Sequence, residues 1–372
     1  MKLTGLVLTG GGARGAYQAG ALRALGEIAQ EMHISQPFPV LSGSSSGSIN
    51  VAYLATHADE MINASRNLSS MWLGLKTRDI YKVGFIPLLL LGLRWLLDLV
   101  SGNLYRDKRA RALLDTTPLL TLINREFNPQ KVEENLALGY IHSVGLNAVN
   151  YSTGNKEIFF QTEQAIQPWK RLDRFGIKTH LQAKHIMASA AIPLLFPPVL
   201  VNTSYYGDGS LRNYTPLSPA VHMGAEKLLV IAVRKKSEFS PGPAQAHKPS
   251  LGRIASMVLN SVLLDALELD YERSSRINNT VKALRPDAET VLRPLEVLML
   301  RPSQDLGVIA TSFVDSFPRT VRHLIQGLGS TSDTGDLISY LLFEPPYLKA
   351  LIDLGYADTM AQKLQVKEFF SL

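Results

Sequence analysis

The chain has 372 residues, of which 46% are hydrophobic and 19% charged, so it can bury a large core and is not a disordered chain. It contains no cysteine, which excludes disulfide frameworks, thiolate nucleophiles and cysteine-ligated metal sites and suits a reducing compartment. The net charge of +6 is mild. It argues against a nucleic-acid binder, which would usually carry a denser basic stripe, and it is compatible with a surface that meets anionic lipid.

The chain begins with two strand–loop–helix units. Residues 3–9 form a short apolar run that predicts a buried strand, and Ala16–Met32 has the apolar spacing of a helix. Residues 38–42 predict a second strand, and Ser48–His57 predicts the helix that follows it. This alternation is typical of a parallel sheet covered by helices.

Three further strands are predicted, and they are followed by a change in composition. Two lie at Tyr140–Tyr151 and Lys156–Gln161, and a buried one lies at Lys227–Val233. Residues 235–252 combine proline, glycine, serine and lysine, which is typical of a linker or mobile loop. From Ile254 onward the apolar spacing is mostly helical. We therefore expect an α/β domain over residues 1–236 and a mostly helical extension over 237–372, which could also pack on the core.

The most apolar segment is 85–100, which contains Arg94 and Asp98. It is too short and too charged for a membrane span, which needs about 20 residues. It has two interpretations, a buried core helix or a lid helix that contacts lipid between basic flanks. No signal peptide is evident at the start, so we expect a cytoplasmic protein, with peripheral membrane contact under the second interpretation.

A glycine-rich loop at Gly10–Gly15 lies between the first strand and the first helix and matches G-x-G-x-x-G. A dinucleotide site would also want an acidic residue near the end of the second strand, but that strand ends at Ser42–Gly43. Free N–H groups at a helix N-terminus stabilise oxyanions, so we favour an oxyanion site with Gly11 and Gly12 as donors. Arg14 adds positive charge nearby, or is a surface cation that only caps the loop.

A second glycine motif, Gly43–Gly47, lies between the second strand and its helix. The pattern G-x-S-x-G requires glycine two residues before and two residues after the serine, and only Ser45 meets it. A sharp strand-to-helix turn then presents the hydroxyl, because side chains at those two positions would collide. Ser45 is the candidate nucleophile. The alternative is a plain Ser/Gly loop.

No histidine in the sequence stands out as the base that would activate this serine. The candidate nucleophile follows only two strands, unlike an ordinary α/β-hydrolase, and the eight histidines show no suggestive spacing. A carboxylate remains at Asp208–Gly209, after an aromatic strand. In isolation that dipeptide is more typical of a hairpin turn.

Together these motifs resemble the patatin-like phospholipases over roughly the first 230 residues. The resemblance rests on the glycine loop with Gly10, Gly11, Gly12, Ala13, Arg14 and Gly15, on the elbow with Gly43, Ser45 and Gly47, on Asp208–Gly209, and on Met187–Val199, Asn213 and Pro216 around it. It implies a three-layer αβα sandwich and a Ser45–Asp208 dyad without histidine. It also implies an oxyanion hole at Gly11, Gly12, Ala13 and Arg14. One departure is Ser210, where the family has glycine or alanine.

The resemblance further implies hydrolysis of lipid acyl esters, of the phospholipase A or lysophospholipase type, through an acyl-enzyme on Ser45. An acyltransferase would share the same site. The chemistry needs no metal and no cofactor, and the partner is a lipid or phospholipid. The alternative function is a non-catalytic lipid-binding or scaffold protein that retains the fold.

Overall fold

The computed structural model describes residues 2–82, 112–236, 248–263, 266–285, 290 and 292–371, with the side chains of 262 and 263 left aside. The apolar segment 85–100 lies outside these residues, so both of its interpretations stay open. Most of the predicted linker, 237–247, also lies outside them. Within the described part of the chain, no helix is both long enough and apolar enough to cross a membrane.

One mixed sheet runs through the described part of the molecule. Its ten strands are β1 (Thr4–Leu8), β2 (Val40–Ser44), β3 (Ser143–Asn150), β4 (Lys156–Gln161), β5 (Lys170–Arg171), β6 (Arg174–Lys178), β7 (Val199–Val201), β8 (Ser204–Asp208), β9 (Lys227–Ile231) and β10 (Glu296–Leu300). The main order is β10-β9-β1-β2-β3-β4-β6-β5, and β8 joins β3 to β7.

Helices cover this sheet. They are α1 (Gly15–Glu31), α2 (Ser46–Thr56), α3 (Met61–Leu73), α4 (Thr77–Ile80), α5 (Thr117–Glu126), α6 (Pro129–Ala137), α7 (Ala183–Ser189), α8 (Ser218–His222), α9 (Leu251–Leu263), α10 (Ala266–Ala283), α11 (Leu306–Thr311), α12 (Arg319–Leu328), α13 (Thr331–Leu341), α14 (Pro345–Ala361) and α15 (Lys363–Ser371). Single 3₁₀ turns lie at Gly12–Arg14, Ala58–Glu60 and Val314–Ser316.

The centre of the sheet is parallel, as the first two units predict. Strands β10, β9, β1, β2 and β3 run in the same direction, while β4 and β8 are antiparallel to β3. Every residue of β1, β2 and β9 is buried, which is expected when helices cover both faces of a parallel sheet. The predicted fold class, an α/β sandwich with a mostly parallel sheet and a helical C-terminal region, is confirmed.

The C-terminal region shares this core. Strand β10 was not predicted, and it pairs with β9, so residues after 236 contribute a strand to the sheet. The domain boundary at residue 236 stays a prediction. Helix α14 packs on α1 through two glycines: a Cβ on Gly20 would lie 2.0 Å from Ile352 O, and one on Gly355 would lie 2.1 Å from Tyr17 O. The two helix backbones therefore meet where any side chain would separate them.

Strand β3 aligns the two halves of the candidate site. Its first part pairs with β2, so that Ser44 lies opposite Asn147. Its last part pairs with β8, so that Ala148 lies opposite Asp208. Because β4 occupies the other edge of β3, β8 continues the edge on which β2 ends. Ser45, which follows β2, and Asp208, which ends β8, are thus brought together.

Candidate active site

Ser45 occupies the turn between β2 and α2 in a strained backbone conformation, with φ of 53° and ψ of −127°. Few non-glycine residues adopt a positive φ, and such strain clusters at functional sites. The Ser45 carbonyl accepts hydrogen bonds from Ser48 N (2.9 Å) and Ser48 Oγ (2.6 Å), which fix the first turn of α2. The backbone of Ser45 is thereby fixed at the start of α2.

The two elbow glycines are required by close backbone approaches. A Cβ on Gly43 would lie 2.5 Å from Gly47 O. A Cβ on Gly47 would lie 2.3 Å from Leu8 O, at the end of β1. The G-x-S-x-G spacing therefore reflects both the tight turn and the packing of α2 against β1.

Asp208 ends β8 and is fully buried. Its Oδ1 accepts a hydrogen bond from Ser210 N at 2.8 Å. Burial raises the pKa of Asp208 to about 6, against the opposing effect of hydrogen bonding from the side chain of Ser45 and from Ser210. Oδ2 has no well-formed hydrogen bond within the described residues, so the contact with Ser45 is a loose one. Loose catalytic hydrogen bonds are common in enzymes without substrate.

The glycine loop lies directly against Ser45. A Cβ on Gly10 would lie 2.7 Å from Ser45 Cβ and 2.2 Å from Ser210 Oγ, so this position tolerates only glycine. Gly12 has φ of +57° and begins the 3₁₀ turn that leads into α1. The backbone N–H of Arg14 donates to Gly11 O at 3.1 Å, which closes the turn. The predicted loop and the predicted nucleophile are therefore neighbours.

The side chain of Arg14 is buried, so the interpretation of a surface cation is wrong. It is 3% exposed and forms an ion pair with Asp336 at 2.7 Å, in α13. Its Nε donates to Ser339 Oγ at 2.8 Å. The positive charge of Arg14 is thus paired with a carboxylate of the C-terminal region.

Asn147 and Ser189 support the elbow and were not singled out by the sequence. Asn147 Nδ2 donates to Gly43 O (2.9 Å) and to Ser44 Oγ (2.8 Å). Ser189 Oγ accepts the backbone N–H of Ser45 at 3.1 Å. No local pattern marks Asn147, because its role comes from the pairing of β3 with β2.

The segment Met187–Val199, noted in the sequence without a role, holds Asp208 in place. The backbone N–H of Asp208 donates to Ala191 O at 2.9 Å, and that of Gly209 donates to Ser189 O at 3.0 Å. A Cβ on Gly209 would lie 1.9 Å from Asn147 O. The Asp-Gly dipeptide therefore ends a strand against β3 and does not form a simple hairpin turn.

An apolar cleft opens beside Ser45. It is narrow, with a cavity volume of about 20 Å³. Its walls come from α2, α3, α5 and the segment after α7. They are Gly12, Ser45, Ser46, Ile49, Met71, Trp72, Leu75, Ile80, Leu119, Leu122, Ala190, Ile192, Phe196 and Phe343.

Within the described residues, no histidine forms a hydrogen bond with Ser45 or Asp208. His185, in α7, is the most buried of them and accepts the backbone N–H of Gln182 at 2.9 Å. Burial lowers its pKa to about 4, and its ring packs on Phe159. Over the same residues, no set of three histidine, aspartate or glutamate side chains is arranged to hold a metal ion.

A serine in a strained strand-to-helix turn at the carboxyl end of a parallel sheet gives this α/β protein the backbone geometry of a nucleophile elbow. The sequence belongs to the patatin-like phospholipase family, whose match spans residues 6–221, more than half of the chain. The resemblance drawn from the motifs is thereby confirmed. No relative matches among curated proteins.

Three solved structures align with nearly the whole chain. They are VipD from Legionella pneumophila (12% identity, TM-score 0.36), human GIVD cytosolic phospholipase A2 in complex with methyl gamma-linolenyl fluorophosphonate (12%, 0.40) and the type III effector protein ExoU (13%, 0.34). The alignments cover 100%, 99% and 99% of this chain. They cover 67%, 59% and 54% of the other chains, so this chain spans between half and two thirds of their length.

Proposed function

We propose that this protein hydrolyses acyl esters of lipids, of the phospholipase A or lysophospholipase type, with Ser45 as nucleophile and Asp208 as base. The observation that carries the proposal is the strained Ser45 turn beside a buried carboxylate whose pKa is raised to about 6. A carboxylate with that pKa is a stronger base than a solvated aspartate and is still mostly ionised at pH 7.

In the proposed acylation step, Asp208 takes the hydroxyl proton of Ser45 while Oγ attacks the ester carbonyl carbon. The carbonyl oxygen becomes an oxyanion, which accepts hydrogen bonds from the glycine loop, with Gly11 and Gly12 as the proposed donors and Ala13 beside them. When the tetrahedral intermediate collapses, the ester C–O bond breaks. The leaving alcohol takes the proton from Asp208, and the acyl group remains on Ser45.

In the proposed deacylation step, Asp208 takes a proton from a water molecule that attacks the acyl-enzyme carbonyl. A second oxyanion forms at the same donors, and its collapse releases the carboxylic acid. Ser45 Oγ recovers its proton from Asp208, which restores the starting state. Every proton is accounted for by this dyad and the water.

The apolar cleft supports a long acyl chain as the substrate group. It meets the site at Gly12 and Ser45, and aliphatic and aromatic side chains such as Leu122, Ile192 and Phe196 line it. Transfer of methylene groups from water into such a cleft contributes about 0.8 kcal/mol per CH₂. The narrow space requires side chains to move apart as the acyl chain enters.

The test is hydrolysis of a defined panel of phospholipids and lysophospholipids in mixed micelles, with products identified by mass spectrometry. We expect release of fatty acid by the wild type, loss of turnover in Ser45→Ala, and wild-type turnover in Ser42→Ala, a control for a nearby buried serine on β2. Labelling of Ser45 by a fluorophosphonate identifies the nucleophile. Vesicle binding without turnover or labelling would refute the proposal in favour of a lipid-binding scaffold.

A further inference from the structure

We propose that Asp336, in the C-terminal helix α13, is a positioning residue for the glycine loop and acts on it through Arg14. The inference rests on the proposed function, because it assigns the C-terminal region a role in that same site. Neither the family match, which ends at residue 221, nor the motifs include α13.

The side chain of Arg14 makes three contacts with α13. Its Nη2 donates to Asp336 Oδ1 at 2.7 Å and its Nε donates to Ser339 Oγ at 2.8 Å. The guanidinium carbon lies 4.7 Å from the centroid of the Tyr340 ring. A planar guanidinium with several charge-assisted contacts is held in one orientation. Arg14 itself therefore has a fixed position relative to α13.

The loop backbone meets the same helix directly. A Cβ on Gly12 would lie 2.3 Å from Tyr340 O, so the Gly12 backbone lies against the last turn of α13. The N–H of Arg14 closes the loop turn on Gly11 O. A hydrogen bond thus joins Gly11 to Arg14 within the loop, and both Gly12 and Arg14 contact α13. Any movement of α13 or of Arg14 would therefore shift the backbone of this loop, whose first glycine, Gly10, lies against Ser45.

Asp336 is in turn held from a third segment. Its Oδ2 accepts a hydrogen bond from Asn260 Nδ2 in α9 at 2.7 Å, and Ser339 Oγ donates to Asp336 O at 2.5 Å. The carboxylate thus connects α9 and α13 to the loop. A neutral residue in its place would leave the Arg14 charge buried without a counterion. Displacements near 1 Å in a catalytic site cost up to about a hundredfold in rate.

The experiment compares Asp336→Asn with Asp333→Asn. Asp333 lies on the same helix, but its carboxylate accepts from Ser250 Oγ and is not one of the groups described above that contact the glycine loop. The turnover of a short-chain nitrophenyl ester is measured per active site, with sites counted by fluorophosphonate titration. We expect kcat per site to fall at least about tenfold in Asp336→Asn with KM within twofold, and both constants within twofold of wild type in Asp333→Asn.

Ser339→Ala is the second variant, in case Asp336→Asn does not fold. It removes the acceptor of Arg14 Nε but keeps the ion pair, so we expect the same fall in kcat at smaller size, about threefold or more, with KM unchanged. An unchanged kcat per site in the variants that fold would overturn the proposal while leaving the proposed function intact. If the wild type neither turns over the ester nor is labelled, the proposed function fails and this inference fails with it.

Discussion

The variant Asp208→Asn should lose activity and at the same time gain stability, because the buried carboxylate is costly to the fold. Burial raises the pKa of Asp208 from 3.8 to about 6. A raised folded-state pKa means that the folded protein holds the proton more tightly than the unfolded chain does. The stability from this group is therefore full below about pH 4 and is lost as the pH rises through about 6. A shift of about two units corresponds to about 3 kcal/mol.

The asparagine variant does not titrate, and its Oδ1 can still accept the hydrogen bond of Ser210 N. We therefore expect the free energy of unfolding of Asp208→Asn, relative to wild type, to rise by about 2 kcal/mol between pH 4 and pH 7, because part of the full effect already falls below pH 4. Urea unfolding followed by tryptophan fluorescence at one-unit pH steps measures it. The control is Asp353→Asn, an exposed residue paired with Lys349, for which we expect less than about 1 kcal/mol of change. A stability difference for Asp208→Asn that is flat or falling with pH would refute the reasoning.

Three further predictions concern the same site. In Ser210→Ala, loss of a hydroxyl whose loose contact with Asp208 favours the ionised carboxylate should move the acidic limb of the kcat/KM profile above about pH 6, and an unmoved limb would contradict this. In Gly12→Ala, the methyl group would lie 2.3 Å from Tyr340 O, so steady-state kinetics should show kcat lower by about 10²–10³, whereas an effect on KM alone would indicate a binding role. In Ala190→Leu, the larger side chain should narrow the apolar cleft and lower kcat/KM for palmitoyl esters at least about tenfold more than for butyryl esters; equal losses would place the acyl chain elsewhere.

The features that the sequence determined are those set by neighbouring residues. The serine of the elbow follows from its glycines, since a tight strand-to-helix turn excludes side chains two residues before and after Ser45. Strands β1 and β2 and helices α1 and α2 follow from apolar spacing, with ends displaced by one or two residues. Strand β4 has the predicted bounds, Lys156–Gln161. Neighbouring residues determine the local backbone geometry, so these features could be predicted from the sequence.

The features that only the tertiary structure decided depend on pairs of residues far apart in the chain. Strand β3 must take β2 and β8 on one edge before Asp208 can lie beside Ser45. The contacts of Asn147 and Ser189 with the elbow, and the Arg14–Asp336 ion pair, also join residues that are far apart in the chain. Strand β10 was not predicted because it lies in a region whose apolar spacing is mostly helical. Strand register and helix packing arise from the sum of many contacts across the core, and no short stretch of sequence contains that information. The sequence therefore specifies Ser45 and its turn, while the fold brings the Asp208 carboxylate and the C-terminal helix α13 to them.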